Sequence, residues 1–288
     1  MKKLNYVREY SNNTNQQIIN PLETTKMNNQ NAILIIDAQF DFCNPQGALF
    51  VNGADADMKR LANWIKANKA QIDHISVTMD SHPVNDISHP SFWQDKDGNF
   101  PNPFTAITAQ EIKEGKWSPR FFPKESIHYV ESLEQQGEFG HFIWPFHCLI
   151  GSRGAAIDDS IMDALIDWTK DGKFYQVVAK GTYPLTEHFG IFRANVPIAN
   201  RPETQLNQAL IDTLERYQNV FLVGEAKSHC VANSLKQAIE EAPNLASKFI
   251  ILEDCMSDVT GLSHLGDPIY TKAKSLGVRF AKSTDITL

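Results

Sequence analysis

The stretch LVGEAKSHCVANSL, residues 222–235, runs an apolar segment into Gly224 and then delivers a cysteine, Cys230, to the start of an amphipathic one. A helix start offers unpaired N–H groups and the positive end of the backbone dipole, so a thiol there is expected to lean toward thiolate and to act as a nucleophile. A nucleophilic thiol needs a base, and a carboxylate steadied by an ammonium suits that task. Asp37, closing the run NAILIID, and Lys180, closing YQVVAK, supply those two types. A second set of residues suits a metal ion. Asp80 and His82, two apart in DSHPVNDISHP, together with His147 of WPFHC, make a three-ligand mixed nitrogen and oxygen site. Each residue has a plain structural alternative: a strand-end Asp in a turn, a solvated Lys, a Cys filling core. The argument rests on their falling together at successive strand ends.

Six short apolar runs must position these residues: 31–37, 74–80, 175–180, 219–225, 248–254 and 278–283. Between them lie amphipathic segments near 54–70, 155–170, 203–217, 229–241 and 267–275. Such alternation predicts βα units, hence a mostly parallel sheet with helices on both faces. Ligands in such sheets collect at the carboxyl ends of strands, where the strand order reverses. Asp37, Asp80 and Lys180 stand at strand ends, and Cys230 opens the helix after the fourth strand.

The remaining features bound the function. The chain has 288 residues, net charge −7 and no basic run, which excludes the electrostatic footprint of a nucleic-acid binder. No apolar run approaches a membrane span. Cys43, Cys148, Cys230 and Cys255 form no paired pattern and the polar start holds no signal-peptide core, so the reading is cytoplasmic and reduced. Residues 1–29, rich in Asn, Gln and Thr, read as a polar N-terminal arm ahead of a domain over 30–288.

Five ordered stretches, AILIIDAQFDFCNPQGAL, TMDSHPVNDIS, WPFHCLIGSRGA, AKGTYPLTEHFGIF and VGEAKSHCV, resemble the successive motifs of the isochorismatase-like cysteine hydrolase superfamily, most closely its nicotinamidase branch. The resemblance runs from about residue 31 to 285. It implies an α/β fold, a three-layer αβα sandwich around a six-stranded parallel sheet of order 3-2-1-4-5-6. It also implies a cytoplasmic, homo-oligomeric, metal-assisted amidohydrolase that cleaves a small heteroaromatic primary amide to acid and ammonia through a thioester. By the same resemblance Asp37, Lys180 and Cys230 are catalytic, and the N–H groups of Ala226 and Cys230 form the oxyanion hole beside a cis Glu225–Ala226 bond. Phe42 and Trp144 flank the substrate ring, and one divalent ion, zinc ahead of iron or manganese, sits on Asp80, His82 and His147.

Two departures from the pattern stand out. A histidine usual in nicotinamidases is replaced by Asp86, with His89 three residues on, so both enter as possible further ligands. An insertion at about 94–139, rich in Pro and Phe, starts and ends beside the proposed metal residues and reads as a lid or pocket wall, with a surface elaboration as the alternative. Glu187 and His188 read equally as pocket residues or as caps, and His229 as a packing residue. Two other functions stay open: a carbamoyl or ureido amidohydrolase of the same superfamily, whose members lack the metal residues, and a non-catalytic ligand-binding homologue.

Overall fold

The structure, a computed structural model, describes residues 30–136 and 140–288; the expected arm over 1–29 lies outside the described residues. Six parallel strands form the central sheet: β1 (Asn31–Ile36), β2 (His74–Asp80), β3 (Gln176–Lys180), β4 (Asn219–Gly224), β5 (Phe249–Leu252) and β6 (Arg279–Ala281). In space they run β3-β2-β1-β4-β5-β6, the order implied by the family resemblance. The reversal of order therefore falls between β1 and β4.

The β-branched run of β1 is buried on both faces because successive side chains alternate across the sheet. Ile33 and Ile35 enter one core, with Met58, Leu61, Ile161 and Trp168 of helices α1 (Ala54–Ala67) and α2 (Asp159–Thr169). Ala32, Leu34 and Ile36 enter the other. There they meet Leu210, Leu235 and Tyr270 of α3 (Gln208–Leu214), α4 (Ala232–Glu241) and α5 (Ser263–Ser275). These are the three layers.

Register brings the polar strand ends level. Asp80 pairs with Lys180 across β2 and β3, and Ile36 pairs with Gly224 across β1 and β4. Gly224 has φ +114°, and a Cβ there would come within 2.0 Å of the Ile36 carbonyl oxygen, so no larger residue fits this crossing. β3 is a sheet edge, with Val177 49% exposed and Phe174, just before it, 87% exposed.

The insertion forms a third, separate core. Two short antiparallel pairs, Trp93–Gln94 with Ser118–Pro119 and Ala106–Ile107 with His141–Phe142, frame the helix Pro123–Gln136. Tyr129, Val130 and Leu133 of that helix pack on Trp93, Ile107 and Ile143, and on Leu185 and Val196 of the loop after β3.

Candidate functional site

Asp37 follows β1 with φ +44°, a left-handed conformation rare for a residue with a side chain. Thr78 of β2 holds it there. Its hydroxyl accepts from the Asp37 N–H at 2.9 Å and donates to Asp37 Oδ1 at 2.6 Å. The other carboxylate oxygen faces Lys180 Nζ at 3.0 Å. That ammonium, 2% exposed, also faces Asp80 Oδ1 at 3.0 Å, donates to the His188 carbonyl at 3.1 Å and lies 3.7 Å from Cys230 Sγ.

Cys230 lies in a wide helical turn, Lys227–Val231, that leads into α4, and the Glu225–Ala226 bond before it is cis, as the resemblance implies. The surroundings of Cys230 oppose the expected lean toward thiolate. Burial pushes the thiol well above its ordinary range, with Lys180 pulling the other way. Asp37 is itself raised by burial, which outweighs Lys180, and so it is a more willing proton acceptor than an ordinary carboxylate. Lys180 is held well above its ordinary range by Asp37 and Asp80 against its burial, and stays charged.

The second set adjoins the first through Asp80. Asp80, His82 and His147 each offer a ligand atom, all within 4.8 Å of one another. His147 Nδ1 faces the Pro145 carbonyl at 2.8 Å and His82 Nδ1 faces Asp86 Oδ2 at 3.3 Å. A carbonyl only accepts, so His147 Nδ1 carries the proton. Each Nε2 is then turned toward Asp80 Oδ2, at 3.1 Å from His82 and 3.7 Å from His147. Imidazoles anchored through one nitrogen and presenting the other are the usual arrangement around a metal ion. The corner also favours positive charge: despite burial, Asp80 is held well below the carboxylate range by His82 and Lys180. The donor set fits a divalent ion of the zinc type.

Asp86 is not one of the group. Its Oδ2 backs His82 and its Oδ1 accepts from the Ser88 N–H and hydroxyl, so it stands behind His82 rather than in the group. His89 packs its ring 5.2 Å from that of His82 and 5.5 Å from that of His147, and its buried Nε2 has no hydrogen-bond partner among the described residues.

Phe42, Asp80, His82, Trp144, His147, Ala226 and Cys230 line one recess, together with Glu187, His188 and His229. The even choice for Glu187 and His188 thus resolves toward the pocket. His188 is lowered to about 4 by burial and by Lys180, and His229 to about 4 by burial, so both are neutral near pH 7. His229 both lines the recess and hydrogen-bonds Ser228 Oγ at 2.8 Å. Residues 94–136 do not themselves line the recess but touch residues that do, Tyr129 donating to Glu187 Oε1 at 3.3 Å and Phe104 packing on Trp144. Sequence reasoning missed Thr78 and Gln39. The Gln39 amide clasps Asp80, accepting from its N–H and donating to its carbonyl, both at 2.8 Å.

This architecture, with its strand order and its site at the β1–β4 crossing, is the isochorismatase-like fold. Its likeness among known proteins is to nicotinamidases. The chain is 24% identical to the nicotinamidase of Saccharomyces cerevisiae over 208 residues, 72% of this chain and 81% of that one. The crystal structure of the yeast nicotinamidase with the inhibitor nicotinaldehyde matches with a TM-score of 0.60 at 21% identity, over 88% of this chain and 100% of that one. The pyrazinamidase of Pyrococcus horikoshii in complex with zinc matches with a TM-score of 0.50 at 18% identity, over 88% of this chain and 99% of that one. No family model matches the chain.

Proposed function

We propose that the protein is a cysteine amidohydrolase of the nicotinamidase type, cleaving a small heteroaromatic primary amide to its acid and ammonia. One observation carries the reading: Lys180 Nζ stands 3.0 Å from both Asp37 and Asp80, joining the acid–thiol pair to the Asp80, His82 and His147 group beside one recess. The similarity to the yeast nicotinamidase supports it. The three metal-type residues favour it over a ureido amidohydrolase.

The residues act as follows. Asp37 accepts the thiol proton as Cys230 Sγ attacks the amide carbonyl carbon, and the carbonyl electron pair moves onto oxygen, received by the N–H groups of Ala226 and Cys230. Asp37 returns the proton to the amide nitrogen, the C–N bond breaks, and ammonia leaves a thioester. Asp37 then takes a proton from water, whose oxygen adds to the same carbon; the C–S bond breaks and the thiol is regenerated with that proton. Lys180 keeps its charge throughout and balances whichever anion is present. Phe42 and Trp144 sandwich the ring.

Asp80, His82 and His147 would hold one divalent ion, zinc in this reading, whose chemistry is to anchor and polarise a ring-nitrogen substrate. Zinc is supported by the donor set and by the zinc complex of the Pyrococcus structure. Elemental analysis of the purified protein and of His82→Ala tests it: equal content in both would exclude this site. The setting proposed is the cytoplasm, in keeping with four unpaired cysteines, and the assembly is a homo-oligomer formed at the exposed β3 edge. Among the described residues no helix is long and apolar enough to cross a membrane.

Ammonia release from nicotinamide and pyrazinamide tests the function, with Cys230→Ala as control. The wild type should turn over at least one of them and the variant should lose about a thousandfold or more in kcat. Undiminished turnover by Cys230→Ala would exclude the mechanism.

A further inference from the structure

Trp144, Phe189 and His229 line the recess holding Cys230. The same three residues form the inner wall of a second, larger cavity. Two helix faces build its sides. On one, His229, Asn233 and Lys236 follow at spacings of four and three, which places them on one face running outward from the nucleophile. On the other, Leu262, just before α5, and Leu265 and Ile269 within it make an apolar stripe at spacings of three and four, with His264 beside it. Phe142 and Trp144 close a third side. From Cys230 to Lys236 the helix advances six residues, about 9 Å at about 1.5 Å per residue. That is longer than a bare pyridine ring.

We propose that this outer chamber is a substrate subsite, taking an apolar aryl or alkyl substituent of an amide whose carboxamide lies at Cys230. Two features select this class of occupant. The chamber shares Trp144, Phe189 and His229 with the recess, so a group held there lies next to the reacting amide. Its walls offer aliphatic and aromatic surface, so burial of an apolar substituent is what they reward. The inference rests on the amidohydrolase reading and extends it from small amides to ring-substituted ones.

The test compares ammonia release from nicotinamide with that from nicotinamides bearing a butyl or phenyl group at each free ring carbon. At one substitution position, kcat/KM should stay within tenfold of nicotinamide or exceed it. Leu265→Trp and Ile269→Trp, which fill the chamber without reaching the inner recess, should lower that value tenfold or more while moving nicotinamide turnover less than twofold. Wild-type values a hundredfold below nicotinamide at every position would overturn the subsite, as would equal losses on both substrates in correctly folded variants. Absence of turnover with every amide would instead overturn the amidohydrolase reading. The subsite would then stand or fall on calorimetric binding of the same substituted amides to wild type and Leu265→Trp: binding weakened by the variant supports it, and no binding or unaltered binding overturns it.

Discussion

Glu225, the residue before Ala226, is wholly buried beside Asp57, and its Oε2 accepts from the Ser257 N–H at 3.1 Å. Burial, reinforced by Asp57, raises this carboxyl well above its ordinary range. The sign follows from linkage. A carboxyl whose pKa is higher folded than unfolded contributes stability that is complete below the unfolded value, near 4.5, and is lost as pH rises through the folded value. Glu225→Gln keeps an acceptor for Ser257 and removes the ionisation. Its melting temperature relative to wild type should therefore improve steadily from pH 5 to pH 9. A difference between the two proteins that is flat with pH would show that Glu225 is already ionised in the folded protein at pH 5, so that its pKa is not raised.

Among the elements, the strands were plain in the chain because burial on both faces demands continuous β-branched runs, as in residues 32–36. The insertion was not. Trp93, Tyr129 and Leu133 follow no single period, and what they share is a third core that exists only once the loop after β3 lends Leu185 and Val196. The site was legible where chemistry is rare, in Cys230 and the two histidines. Thr78 and Gln39 were invisible because a threonine in a strand and a glutamine in a loop carry no signal until register sets them beside Asp37 and Asp80. The third core makes its own prediction. Leu133 is fully buried, so Leu133→Ala should cost about 2–5 kcal/mol in chemical denaturation. Zinc content should be unchanged, because the metal-type residues are anchored by Pro145, Asp86 and Gln39 rather than by this helix. A joint loss of stability and zinc would tie the insertion directly to the metal group.

At the scale of the molecule, the sheet is unequal at its two edges. β6 is partly covered, whereas β3 leaves Val177 half exposed, with Phe174 beside it and Ile166 of α2 50% exposed. An open edge strand with apolar neighbours is a template for association. Light scattering should show more than one copy per particle, and Phe174→Asp should shift the protein toward the monomer with its melting curve little changed. A wild-type monomer at all concentrations would remove the β3 edge as an interface.

Lys180, set midway between Asp37 and Asp80, makes the two halves of the site thermodynamic partners. One ammonium is shared by two carboxylates, so whatever neutralises or removes one of them changes its claim on the other. Asp37→Asn would leave Lys180 to pair with Asp80 alone, where it competes with a cation for the same carboxylate. The apparent zinc affinity of that variant should fall about tenfold, measured by competition with a chelator, although Asp37 is no ligand. Affinity equal to or tighter than wild type would contradict the shared ammonium. By reciprocity, the state of Asp37 and occupancy at Asp80 are then coupled by the same free energy in both directions. In the proposed mechanism, the proton acceptor would then answer to whether an ion is in place.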